Sequence, residues 1–190
     1  MNPGLSAINQ TFFMISDGFI VSTNPDPFSI MALKTLKNVL PRWKKWAVQS
    51  RVYFADSAYP LPESNMKFIG EIIQRFNLET SMLRVRIKEK FKKLKIISKM
   101  DYALNLKKND MLYDICSLKA NGLLKDYCLA EISEFGALIQ KANAASVPVF
   151  ALTRDQLGAT GTVLKNMLAS QERFDKEFVR IANVVMELVV

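Results

Sequence analysis

Residues 17–27, Asp17-Gly18-Phe19-Ile20-Val21-Ser22-Thr23-Asn24-Pro25-Asp26-Pro27, restrict the fold more than any other stretch of this chain. Phe19 to Thr23 is short, β-prone and bounded on both sides by turn formers. That is the appearance of a buried strand of a parallel sheet. The turn after it cannot begin as a helix, because each proline disfavours the α region for the residue before it. Pro27 suits the first turn of a helix capped by Asp26. Upstream, Leu5, Ile8, Phe12 and Ile15 recur at helical spacing and predict a helix over about 5–15. Downstream, Ile30, Leu33, Leu36, Val39 and Leu40 predict a second helix, which Pro41 bends or restarts. Helix, strand and helix in succession point to a layered α/β domain with a mostly parallel sheet.

The rest of the chain extends this pattern. Trp43 and Trp46, three residues apart, are expected to pack the second helix on the sheet. A turn-rich segment, Tyr59 to Asn65, leads into a predicted strand over Met66 to Phe76. In the middle, Leu83, Ile87, Phe91, Leu94 and Ile97 make one stripe of a helix otherwise covered by cations. Further helices are predicted around Asp110 to Ser117 and over Leu123 to Asn143, with Asn121-Gly122 between them. Val147 to Leu152 reads as a final strand with proline at its start. Thr153 to Gly161 reads as a loop, and Val163 to Leu188 as the last helix.

Composition narrows the chemistry. The 190 residues are 49% hydrophobic and suit one globular domain over 1–190. The apolar run from Val184 to Val190 is interrupted by Glu187, so nothing approaches the roughly 20 residues needed to span a bilayer. The N-terminus lacks the basic flank and cleavage pattern of a signal peptide, which predicts a cytoplasmic chain. There is no histidine. Ser-His-Asp and Cys-His chemistry is therefore excluded, and Cys116 and Cys128 cannot join a Cys/His zinc site. Both cysteines are expected to be buried thiols.

Two sets of residues carry a family resemblance. The first is Asn2-Pro3-Gly4-Leu5 followed, after a helix and a strand, by Asn24-Pro25-Asp26-Pro27-Phe28-Ser29. The second is Phe68-Ile69-Gly70-Glu71-Ile72-Ile73-Gln74-Arg75-Phe76-Asn77. Both resemble the second half of the ParA family of chromosome- and plasmid-partitioning ATPases, over about residues 2–77 and 147–190. The resemblance implies a partial P-loop NTPase fold in which segment 78–146 is a Lys-rich helical insertion. It also implies ATP-dependent dimerisation and DNA positioning as the parent activity, with ATP and magnesium as cofactors of complete members. Asn24, Pro25, Asp26, Arg75 and Asn77, with the loop from Thr153 to Asp155, would line the adenine side. The family's phosphate loop needs a Gly-Lys pair, and none occurs here. The family's magnesium-associated aspartate would fall just before Met1. The chain by itself is thus expected to hold no cofactor and to be inactive as an ATPase. A stand-alone module that binds DNA or protein without catalysis is the alternative.

The basic helix has three readings. Arg84, Arg86, Lys88, Lys90, Lys92, Lys93, Lys95 and Lys99 face a single carboxylate, Glu89, and so hold most of the formal excess of +8. They can form a solvated face, a membrane-surface helix, or a surface for nonspecific DNA binding. The family binds DNA through basic residues of its second half, which favours the DNA reading, with Arg84, Arg86, Lys88, Lys92, Lys93 and Lys95 as its contacts. If the first half of the sheet is missing, the strand at Phe19 to Thr23 becomes an edge. Pairing there with a missing N-terminal half or a second copy is then expected.

Overall fold

A computed structural model describes residues 7–63, 66–76, 89, 92, 95–96, 98–123 and 125–189. The element order is α1 (Ala7–Ile15), β1 (Gly18–Thr23), α2 (Pro27–Tyr53), β2 (Lys67–Phe76), a π-helical turn (Ser98–Ala103) running into α3 (Leu104–Lys108), α4 (Ile115–Ala120), β3 (Cys128–Ser133), α5 (Ala137–Ala145), a 3-10 turn (Val149–Ala151), α6 (Arg154–Leu157) and α7 (Gly161–Val189). Among the described residues three strands form one parallel sheet in the order β1-β2-β3. The chain is therefore an α/β protein, with β2 as the middle strand.

The core forms two layers, one on each side of β2, whose alternation is interrupted by a register shift between the pairs Phe19↔Phe68 and Ile20↔Gly70. Phe68 and Ile73 join Phe19, Val21, Leu33, Leu40, Tyr102 and Leu106 on one side, under α2, the π-helical turn and α3. Ile69 joins Leu129, Leu138, Leu157, Phe174, Ile181 and Val184 on the other, under α5, α6 and α7. Gly70 lies between these positions because β3 comes close. A Cβ there would sit 2.9 Å from the Leu129 Cβ and 3.2 Å from the Tyr127 carbonyl oxygen.

Entry into α2 follows the sequence. Asp26 is the N-cap, with its Oδ1 accepting from the Ser29 amide at 2.7 Å, and Pro27 occupies the first helical position. Asp26→Ala removes that acceptor and is expected to cost about 1 kcal/mol. A midpoint shift in urea denaturation measures it; an unchanged midpoint would mean that the cap contributes nothing. The helix runs through Pro41 without restarting. Leu33 and Leu40 before Pro41 and Ala47 after it are buried in the same core layer, so both halves of the helix are anchored to one side of the sheet.

Five expectations are corrected. The stretch Leu123 to Asn143 is not one helix: it holds β3, a turn and α5. Its apolar residues fit a helical stripe, but Leu129, Ala130 and Ile132 are β-compatible and Gly136 adopts φ 56°, which ends any helix there. Segment 78–146 accordingly supplies a strand of the sheet as well as helices. Val147 to Leu152 is not a strand, because Pro148 leads into the 3-10 turn and Val149 packs under α7 rather than pairing. Thr153 to Gly161 is not all loop. Thr153 and Gln156 form a capping box that starts α6, and Gly158 at φ 52° stops it. Trp43 packs on Phe13 with ring centroids 5.6 Å apart, but Trp46 faces outward. Cys116 is exposed near the start of α4 and Cys128 is half-buried, so the thiols are not both core groups. Of the helix predicted through 83–99, only positions 89, 92, 95 and 96 are described, and all four are helical.

Candidate functional site

The carboxyl ends of β1 and β2 lie side by side, as parallel pairing from Gly18↔Lys67 to Thr23↔Ile73 requires. In doubly wound sheets such ends are where ligands bind. At the end of β1 the turn is tightly organised. The Asn24 amide donates to Ser29 Oγ at 2.9 Å, and the Asp26 amide donates to the Asn24 carbonyl at 2.7 Å. Asn24 Oδ1 is buried and accepts no hydrogen bond from the described residues. Pro25 shapes the turn, and the Asp26 carboxylate is taken by the helix cap. Arg75 lies near the end of β2, where only its backbone is described; Asn77 is outside the described residues. Thr153 to Asp155 follow the 3-10 turn and not a strand, so the third strand end is Ser133, which the sequence reading did not include.

Beneath these ends is a buried polar group of residues that the sequence reading missed. Glu71, 0% exposed in the middle strand, accepts a hydrogen bond from Thr23 Oγ1 at 2.6 Å. The Tyr102 hydroxyl is buried and has no hydrogen-bond partner among the described residues. Burial, with the Glu71 charge nearby, pushes its phenol above the usual tyrosine range. A carboxylate in the apolar run Phe68 to Ile73 was the available signal.

The outer side of β3 forms a second feature, a groove of about 550 Å³ against α7. Lys95 bridges Asp126 at 2.8 Å and Glu131 at 2.7 Å. Burial opposes the Lys95 charge, yet the hydrogen bonds to Asp126 and Glu131 outweigh it and hold the ammonium above its ordinary range. Arg180 donates to the Leu129 carbonyl and to Glu177, and Arg173 donates to Ser133 Oγ at 3.1 Å. Burial pushes the Cys128 thiol up to about 12, which keeps it protonated.

The outer side of β1 is different. Phe12, Ile15 and Ile20 are exposed along a groove of about 590 Å³, and β1 itself carries no charged residue.

Of the residues read as nucleic-acid contacts, Lys92 is exposed and Lys95 is matched with two carboxylates. Arg84, Arg86, Lys88 and Lys93 lie outside the described residues. Among the described residues no three His, Cys, Asp or Glu side chains gather to hold a metal ion, and no helix is long and apolar enough to cross a membrane. No protein-family model, curated protein or solved structure matches the chain.

Proposed function

We propose that this chain is the strand-end portion of a ParA-like partitioning ATPase, a non-catalytic module whose sheet is completed across β1 by polypeptide bearing the phosphate-binding loop. The observation that carries this reading is the uncharged outer edge of β1, bordered by Phe12, Ile15 and Ile20 and ending in Asn24-Pro25-Asp26-Pro27. Unpaired strand edges template pairing, and soluble proteins ordinarily guard them with charge or a bulge. β3 has such a guard in Arg180 and Arg173. β1 lacks one.

The residues present fit the base side of a nucleotide and not the phosphate or magnesium side. Asn24 offers a buried, unengaged amide oxygen beside the adjoining strand ends, which suits an amino-bearing heterocycle. Asp26 caps α2, and no Gly-Lys loop exists to surround a phosphate. No phosphoryl-transfer step is assigned to these residues.

The test pairs nucleotide titration with sedimentation. With ATP and magnesium the isolated chain is expected to show no turnover and no submillimolar binding. In sedimentation it associates through β1, and Ile20→Lys makes it monomeric without lowering its Tm. Submillimolar ATP binding with turnover would overthrow the reading. So would a wild-type chain that stays monomeric at high concentration.

A further inference from the structure

From Pro27 to Ala55 the chain has no aspartate or glutamate, while α2 carries Lys34, Lys37, Arg42, Lys44, Lys45 and Arg51. Lys37 and Lys44 turn toward Asp101 and Asp110 and are matched there. Lys34, Arg42 and Lys45 form no ion pair among the described residues, and all three are exposed. At the carboxyl end of the same helix, large aromatic side chains stand in water. Trp46 is 47% exposed, Tyr53 83%, Phe54 54% and Tyr59 93%. Trp46, Phe54 and Tyr59 line one groove of about 440 Å³ between α1, α2 and the segment after it. That segment is tied down, since Arg51 Nε donates to the Pro62 carbonyl at 2.9 Å.

We infer that this groove, with Lys34, Arg42 and Lys45 leading to it along α2, is a binding site for single-stranded nucleic acid. Aromatic faces continued along the helix by unmatched cations are the composition of a surface that stacks unpaired bases while tracking phosphates. A duplex is the poorer occupant, because its bases already stack on one another and a phosphate surface alone needs no aromatic rings. A lipid surface is poorer too. A helix lying in a membrane interface presents one continuous apolar stripe outward, whereas Leu33, Leu40 and Ala47 of α2 are buried and its exposed apolar side chains, Phe28, Met31, Val48 and Val52, are interspersed with Asn38, Arg42, Lys45 and Gln49. This groove shares no lining residue with the Lys95 groove or with the strand ends, so it stands apart from the nucleotide proposal.

The experiment uses the full chain and the fluorescence anisotropy of a labelled twelve-nucleotide oligothymidylate. The same oligomer as a duplex with its complement, and phosphatidylserine vesicles, serve as comparison probes. The single strand is expected to bind at least about tenfold tighter than the duplex. Tyr59→Ala and Trp46→Ala each weaken it by roughly tenfold, the scale of one lost stack. With about three phosphates neutralised, affinity falls roughly 20-fold between 50 and 200 mM salt, and R42E with K45E abolishes most of that dependence. Because Tyr59 is almost wholly exposed, its replacement leaves the fold intact even if Trp46→Ala perturbs it. Equal affinity for duplex and single strand, or an unchanged Kd in Tyr59→Ala, overturns the inference. Binding to vesicles without binding to the oligonucleotide overturns it in favour of a lipid surface.

Discussion

Phe68→Ala is expected to lower the stability of the chain by about 3–5 kcal/mol. The ring is fully buried in the middle strand. It meets Phe19 at 5.4 Å, Tyr102 edge-on at 5.3 Å and Tyr127 at 6.5 Å between centroids. Those three partners come from β1, from the π-helical turn and from the residue before β3, so one side chain joins all three parts of the layer. Truncation leaves a cavity that none of them can fill, since each is fixed by its own strand or turn. For a chain of this length the fall in Tm is roughly 10 °C. Calorimetry measures it, with Tyr59→Ala as the comparison that loses an aromatic ring without creating a cavity. Equal Tm values for the two variants would mean that Phe68 is not the centre of this layer.

The second large effect is alkaline. Cys128 has an ordinary value of 9.0 raised to about 12 by burial, and Tyr102 is raised above its ordinary 10.0 by burial and by Glu71. For both groups the folded state holds the proton more tightly than the unfolded state. Their contributions are fully present below the unfolded values and are lost as pH rises. Cys128 acts from pH 9 to about 12, and Tyr102 from pH 10 upward. Each titrating group removes about 1.4 kcal/mol per pH unit within its window. Lys95, whose ammonium is held by Asp126 and Glu131, adds to the loss above 10.5 in the same sense. Denaturation midpoints taken from pH 7 to 11 are expected to stay level and then to fall steeply past pH 9. Tyr102→Phe should flatten the upper part of that fall. At pH 7 it should stabilise by about 1 kcal/mol, because it removes a buried hydroxyl with no hydrogen-bond partner among the described residues. A midpoint that stays level to pH 10.5 would show that neither group is held as described.

The first half of the chain was legible because its signals are local. Asp17-Gly18 and Asn24-Pro25-Asp26-Pro27 bracket β1 chemically, and the Asp26 cap and Pro27 start follow from side-chain length and a fixed φ. β2 and α7 were likewise readable from an apolar run and a sustained period of 3.6. β3 was not. Leu124, Tyr127, Cys128 and Ile132 fall at helical spacing, and a six-residue strand beside a helix gives too few residues for its own period to stand out. What decides it is the contact with β2, where Gly70 lets Leu129 approach, and no local pattern encodes that. The reverse error at Val147 to Leu152 has the same origin, since β-prone residues form a strand only where an edge is available. At the site, the turn residues were found because they shape backbone. Glu71 and Tyr102 were passed over because burial, and not spacing, makes them unusual. The cations of α2 were passed over because the denser run at 84–99 drew the whole charge argument to itself.

The two rims of the sheet are unlike. Arg180 and Arg173 of α7 occupy the β3 side through the Leu129 carbonyl and the Ser133 hydroxyl, while among the described residues the β1 side carries no such side chains. A chain with two open rims can add copies without end and grow into a fibre. With only one rim available, addition can happen once, and two molecules meeting there are related by a two-fold axis and leave nothing for a third. The arginines of α7 would thus act as a terminator, limiting any rim-to-rim assembly to a closed pair.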